Sequence, residues 1–300
     1  MTIKTKPKIY VIVGPTASGK TAYSIKLAKK VGGLPGQGEI ISADSRQVYK
    51  GLDIGTGKVT KKEMAGIPHH LLDVADPKKV FTVADFQKLA QQKIEEIIKR
   101  GKTPIIVGGT GFYIQAVVDN LVLPEVAPDK KLRAHLKVKP PSELLVMLKK
   151  LDPVRAKTID TKNPRRLIRA IEIAKALGRV PTLGSRTSGS LEVRLHGPEY
   201  DFEIIGLKVN QEELNKKIHT RLLARLKHGM IAEAKRLHED GLSWKRMEEL
   251  GLEYRYLARF LQNKITKAEM IEQLEKAIIN YAKRQMTWFK RDQRIKWLKI

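Results

Sequence analysis

Apolar positions in the first 120 residues alternate between short unbroken runs and longer stretches where they recur every three or four residues. Lys8–Val13 (KIYVIV) reads as a buried strand, followed by a Gly-rich turn and a helix from Lys20, and residues 39–43 (EIISA) and 103–107 (TPIIV) read as further strands. Between them Thr82 is suited to N-cap a helix with Asp85 at its third position, and Phe86, Leu89, Ala90, Ile94, Ile97 and Ile98 follow at helical spacing up to Gly101. This rhythm predicts a P-loop NTPase-like α/β core, a parallel sheet flanked by helices. It stops near Leu123, where Pro124 and Pro128 break the chain, and the sequence then reads as helical to about residue 183. Residues 182–189, rich in Ser, Thr and Gly, read as a flexible return link, and a strand resumes at 202–209 (FEIIGLKV). The expected organisation is a discontinuous core, 1–121 with 199–300, and an inserted all-helical domain, 122–198. Residues 211–300 read as helical throughout, with Met270, Leu274, Ala277, Ile278 and Tyr281 on one face. No repeat or coiled-coil seam appears, and a monomer is expected.

Charge adds a direction to this outline. Lys and Arg number 58 against 32 Asp and Glu, a formal net charge of +26, more than solubility requires. Such a field attracts polyanions, of which nucleic acid is the commonest in the cytoplasm, although a lysine-rich thermophilic surface has a similar composition. The excess is local: residues 122–198 carry seventeen Lys and Arg against seven Asp and Glu, and the last twenty residues carry seven against one. With 42% hydrophobic residues the chain can bury a core, and no apolar window or leader-like N-terminus marks a membrane span or secretory signal, so a cytoplasmic protein is expected. The absence of cysteine excludes disulfides, thiolate catalysis and Cys-ligated metals.

The turn after the first strand carries the most specific chemistry. Residues 14–21 (GPTASGKT) have Walker-A spacing between a strand and a helix, the context in which backbone N–H groups and a helix N-terminus bind phosphate groups, as in ATP-binding folds. Gly14, Thr16, Ala17, Ser18, Gly19 and Lys20 are expected to hold a di- or triphosphate, and the Thr21 hydroxyl to ligate Mg²⁺. An NTPase also needs a carboxylate at the end of a neighbouring strand. Here the strand at 103–107 runs into Gly108, Gly109 and Thr110, placing a hydroxyl there instead. The nearest well-placed carboxylate is Asp44, which could hold Mg²⁺ through water, act as general base, or simply cap a turn.

Six segments, in order and covering most of the chain, then matter together: GPTASGKT, ADSRQVYKGLDIGTGK, PHHLLD, VGGTGFY, NPRRLIRAIE and KRQMTWFKRD. In these the chain resembles the tRNA dimethylallyltransferases, or tRNA isopentenyltransferases. Members of that family move the dimethylallyl group of dimethylallyl diphosphate to the exocyclic amine of the adenosine 3′ to the anticodon, with Mg²⁺ and release of diphosphate. The resemblance implies that residues 16–21 bind the donor diphosphate, that Asp44 is the general base, that Thr110 lies beside the reaction centre and that Arg221 acts on the diphosphate. It implies that Asp44, Ser45, Arg46, Gln47 and Thr110 meet the target nucleotide. Further tRNA contacts are implied for Arg133, Arg165, Arg166 and Arg169, for Tyr254 and Arg255, and for Lys283, Arg284, Gln285 and Trp288. At one position the chain departs from the pattern: Glu253 stands where the family usually has Gly before the tyrosine.

The physics of the target points the same way. A stacked anticodon base must be extruded into a pocket, and the unstacking cost is offset by phosphate contacts that a basic insertion and tail could supply. Adenine is expected at one end of a channel through the core and diphosphate at the other, aligned for direct displacement. Plainer readings stand beside these. Adjacent His69 and His70 point to opposite sides of a strand and no metal is expected there; Trp288 and Phe289 suit a core as well as base stacking; Arg165 and Arg166 suit a solvated face. Rival functions are an adenylate isopentenyltransferase acting on free nucleotides, a P-loop nucleotide kinase, and a P-loop nucleic-acid-binding protein without turnover.

Overall fold

The structure, a computed structural model, describes residues 6–31, 37–181 and 200–300; the expected return link at 182–189 lies outside the described residues. The chain forms two compact units, Met1–Asn120 with Leu195–Ile300, and Leu121–Arg194.

The first unit is built on a parallel sheet. Its strands are β1 (Lys8–Val13), β2 (Gly38–Ser42), β3 (His69–His70), β4 (Thr103–Gly108), β5 (Asp201–Lys208) and β6 (Lys296–Lys299), in the order β3-β2-β4-β1-β5-β6. Its N-terminal helices are α1 (Lys20–Ala28), α2 (Lys61–Met64), α3 (Val83–Lys99) and α4 (Gly111–Val118). A parallel sheet must be covered on both faces, and this is why its strands are nearly continuous apolar runs. Ile9, Val11, Val13, Ile41 and Ile106 pack on Phe86, Ile94 and Ile97 of α3 and on Tyr113 and Val117 of α4. Ile12, Ile40, Ile105 and Leu207 face the other way, towards Ala28 of α1. The start of α3 is the expected capping box: Asp85 N–H donates to Thr82 Oγ1 (3.2 Å) and Thr82 N–H to Asp85 Oδ2 (2.8 Å).

Five helices follow β5: α9 (Gln211–Lys227), α10 (Met230–Glu239), α11 (Trp244–Leu250), α12 (Leu252–Leu261) and α13 (Lys267–Phe289). Met270, Leu274 and Ile278 of α13 are buried against Leu214, Ile218, Leu222 and Leu257. One expectation is corrected: residues 211–300 are not wholly helical, because Lys296–Lys299 form β6 and pair in parallel with β5. Gly206 makes room for this strand, since a Cβ there would lie 2.6 Å from the Trp297 ring.

The second unit holds α5 (Lys130–Lys137), α6 (Pro141–Leu151), α7 (Pro153–Thr158) and α8 (Pro164–Leu177) around Leu136, Leu144, Leu148, Leu167 and Ile171. Proline opens three of these helices, and side chains of Asp129, Asp152 and Asn163 cap three. The buried Glu172 carboxylate ties the unit together, accepting from Asp129 N–H (2.7 Å), from Arg133 Nε (2.9 Å) and Nη2 (2.7 Å), and from Arg169. Burial works to raise its pKa, but the two arginines outweigh that and hold the carboxyl below its ordinary value of 4.5. Because the folded pKa is depressed, this stabilisation is full above the unfolded value and is lost as pH falls through the folded one. Glu172→Ala is expected to cost about 2 kcal/mol, less than a fully buried pair because the arginines stay partly hydrated. Hydrogen exchange in α5 and α8 of the full chain reads that loss, and unchanged protection there would refute it.

Candidate active site

The sheet's C-terminal edge gathers three loops. After β1 comes the phosphate loop, in which Ala17 (φ 62°) and Gly19 (φ 80°) both take left-handed backbone. Gly19 caps α1 without a side-chain hydrogen bond, so the first N–H groups of that helix remain directed at the loop. Lys20 folds over the loop, its Nζ donating to Gly14 O (2.9 Å) and Pro15 O (2.6 Å). Its pKa is lowered to about 7, first by burial, with Arg221 adding to the effect and Asp44 opposing it. The buried Ser18 hydroxyl has no hydrogen-bond partner among the described residues.

After β2 comes Asp44, half-buried. Its Oδ1 accepts from Arg46 N–H (2.8 Å) and Gln47 N–H (3.3 Å), the turn-capping geometry of an Asp. Among the described residues no hydrogen bond is made to Oδ2, so one oxygen fixes the turn and the other is unengaged. At the end of β4, Gly108 packs so closely on the segment after the neighbouring strand that a Cβ would lie 2.1 Å from Ala43 O. This approach brings Thr110 to Asp44's segment, where its Oγ1 accepts from Ser45 N–H (3.0 Å). Tyr281 of α13 interacts with Thr110, and its phenol is pushed well above the usual range, first by burial and then by the Asp44 charge.

These loops enclose a cavity of about 740 Å³, a size suited to a drug-sized or cofactor-sized ligand. Thr16–Thr21 line one wall, Asp44, Gln47, Thr56 and Gly57 another, and Arg221, Tyr281 and Gln285 close it from the helical side. Arg221 is solvent-exposed as a residue, but the protein around its guanidinium and then the nearby Arg225 lower its pKa to about 10, while Glu253 and Glu63 oppose the shift. A helix N-terminus, Lys20 and Arg221 converging on one cavity make an anion site. Asp44 faces it from the adjacent loop.

The sequence model of the IPP transferase family matches residues 47–292. The tRNA dimethylallyltransferase of Anoxybacillus flavithermus is 42% identical over 291 residues, 97% of this chain and 89% of that protein. The chain belongs to the IPP transferase family. Among solved structures, the full-length tRNA isopentenylpyrophosphate transferase of Bacillus halodurans is similar at a TM-score of 0.71 and 38% identity, covering 98% of this chain and 90% of that one. A eukaryotic dimethylallyltransferase acting on tRNA is similar at a TM-score of 0.77 and 27% identity, covering 98% and 74%.

Of the residues singled out in the sequence, this IPP transferase fold brings Thr16, Ala17, Ser18, Gly19, Lys20, Thr21, Asp44, Gln47, Arg221 and Gln285 into one cavity, with Ser45, Arg46 and Thr110 in the adjoining turns. Arg165, Arg166, Lys283 and Arg284 are exposed on their own units. Arg133 and Arg169 are engaged with Glu172, Arg255 with Glu248, and the Trp288 ring packs over Gly111.

Two of the residues expected to contact tRNA are buried among the described residues. Tyr254 is 1% exposed and its hydroxyl donates to Glu233 Oε1 (2.8 Å), so it braces the interior. Gln285 is 6% exposed, and both ends of its amide are used: it accepts from Thr16 N–H (2.8 Å) and donates to Gly109 O (2.9 Å), clamping the phosphate loop to the β4 turn. Thr56, Gly57 and His69 also line the cavity. The first two lie inside ADSRQVYKGLDIGTGK, whose Gly-Thr-Gly was a usable signal for a close-packed loop.

Proposed function

We propose that this chain is a tRNA dimethylallyltransferase, transferring the dimethylallyl group of dimethylallyl diphosphate to the exocyclic amine of the adenosine 3′ to the anticodon and releasing diphosphate. The observation that carries this reading is the pairing, across one cavity, of a phosphate loop with a free carboxylate oxygen on Asp44, where the β4 end offers Thr110 and no carboxylate. Such a site suits a diphosphate leaving group attached to carbon and a nucleophile that must lose a proton.

In the displacement, the amine nitrogen bonds to the allylic carbon as the carbon–oxygen bond breaks, and the bonding pair leaves with the diphosphate. Asp44 Oδ2 takes the amine proton. The α1 N-terminus, Lys20 and Arg221 stabilise the charge that grows on the leaving group. Thr110 and the Ser45 backbone keep the acceptor segment in register with the donor end.

Magnesium fits the cavity through its donor chemistry. The Thr21 hydroxyl suits an ion that takes its remaining ligands from water and phosphate oxygens. Thr21 would hold it directly, where it would neutralise part of the diphosphate charge. The exposed cations of the helical unit, Arg165 and Arg166, and of α13, Lys283 and Arg284, would grip phosphates of the anticodon stem-loop.

Incubation with radiolabelled dimethylallyl diphosphate and tRNA tests the reading: label is expected in tRNA, and mass spectrometry of anticodon-loop fragments locates it. Label entering AMP, or phosphate transferred from ATP, would overturn it. Changing Lys283 and Arg284 together to Ala is expected to weaken tRNA binding and reduce the slope of its logarithmic salt dependence by about two, one for each lost phosphate contact. An unchanged slope would remove this helix from the RNA interface.

A further inference from the structure

Glu253 lies at the start of α12, and its surroundings give it a use. It opens α12 beside Tyr254, and its buried carboxylate meets Arg225 (Oε1 to Nη1, 3.2 Å). The same Arg225 Nη1 donates to Gly55 O (3.2 Å), and the guanidinium lies so tightly against Gly57 that a Cβ there would be 2.1 Å from Nη2. Tyr254 holds the other side of this loop. Its hydroxyl donates to Glu233, which accepts the N–H groups of Asp53 (3.0 Å), Ile54 (2.7 Å) and Gly55 (2.9 Å). Two consecutive residues of α12 thus fix residues 53–57 through two intermediaries. Thr56 and Gly57 of that loop line the cavity, and their carbonyls accept from Gln47 Nε2 (3.5 and 3.3 Å).

Charge makes the arrangement specific. Arg221 and Arg225 stand four residues apart on α9, hence on one face, and the Arg225 charge disfavours that of Arg221. Arg221 lines the cavity, whereas Arg225 is turned aside to the loop. Glu253 is the carboxylate that meets Arg225 there.

We propose that Glu253 is a positioning residue that pins Arg225 against the 53–57 loop, so that of these two arginines only Arg221 engages the diphosphate and the loop keeps its hold on Gln47. The proposal rests on the donor-site reading above. A carboxylate is needed for this: glycine could not hold a second arginine away from an anion one helical turn distant, and an amide would hold it weakly.

Binding of inorganic diphosphate with Mg²⁺, measured by calorimetry, tests the idea without turnover. Glu253→Gln frees Arg225 to join the anion, and diphosphate is expected to bind about fivefold to tenfold more tightly, the scale of one added charge-assisted hydrogen bond. Arg225→Gln alone is expected to bind within about twofold of the parent, and the double variant to return to that value. Unchanged affinity in Glu253→Gln, or equal tightening in the single and double variants, would overturn the proposal. If Glu253→Gln does not fold, Arg225→Lys replaces it. A lysine cannot span Glu253 and Gly55 together, so tightening is again expected, and its absence counts against the idea. A parent protein whose diphosphate affinity is absent, or is unaltered by Lys20→Met, would instead sink the donor-site reading, and this inference with it.

Discussion

Asp44→Asn is expected to slow single-turnover prenyl transfer by about a hundredfold or more, the range of general-base losses, while tRNA affinity stays within about twofold. Asparagine is the informative replacement because Asp44 has two tasks. Its Oδ1 fixes the turn by accepting from Arg46 and Gln47, and an amide oxygen can still do this, but an amide cannot take a proton from the amine. Asp44→Ala removes both functions and is expected to lose at least as much rate, with weaker binding of the acceptor because the Arg46–Gln47 turn loosens. If Asn retained the parental rate while Ala lost it, Asp44 would be a turn cap and another group would have to accept the proton.

That double role shows how far the chain could be read before folding. Position along a strand made Asp44 legible: an acid just past an apolar run must emerge at the C-terminal edge of a parallel sheet, beside the phosphate loop. The loop was legible because its chemistry is carried by backbone, and glycine spacing reports backbone directly. Facing was the part that remained hidden. Tyr254 and Gln285 sit in segments that resemble a tRNA-contacting surface, yet both point inward, because a helix turns each residue by about 100° and segment resemblance does not record which stripe is buried.

Buried acids were hidden for a related reason. Glu172 and Glu233 look like ordinary helix-surface residues, and their burial is tolerated because two arginines hold the first, while three backbone N–H groups and a tyrosine hold the second. Apart from Arg169, three residues before Glu172, these partners are distant in sequence. Strand β6 escaped because four residues that begin and end in lysine carry no measurable periodicity, and the one clue to it, Gly206, lies in another strand. Glu253 was visible as a departure from the family, but its consequence depends on Arg225, twenty-eight residues earlier.

Lys20→Met is expected to weaken binding of dimethylallyl diphosphate by about a hundredfold, the upper range for one charge-assisted contact to a phosphate in a recessed site. The larger consequence is a change in proton linkage. In the free protein Lys20 donates to two carbonyls of the phosphate loop, and the protein packed round it brings its pKa down to about 7. An anion bound beside it must raise that value again, so above pH 7 the donor binds together with a proton. Donor affinity is therefore expected to fall as pH rises through 7, approaching tenfold per unit for a single linked proton. Calorimetry at pH 8 in two buffers of different ionisation enthalpy should show proton uptake by the parent exceeding that of Lys20→Met. Stability carries the complementary sign. Between about 7 and the ordinary lysine value of 10.5 the unfolded chain holds this proton and the folded chain does not, so the Lys20 contribution makes folding more favourable as pH rises across that window. Lys20→Met removes this contribution, and its difference in urea midpoint from the parent should shrink as pH rises from 7 to 10. Equal proton uptake by parent and variant would mean that Lys20 is already charged in the free protein and that donor binding is not linked to its protonation.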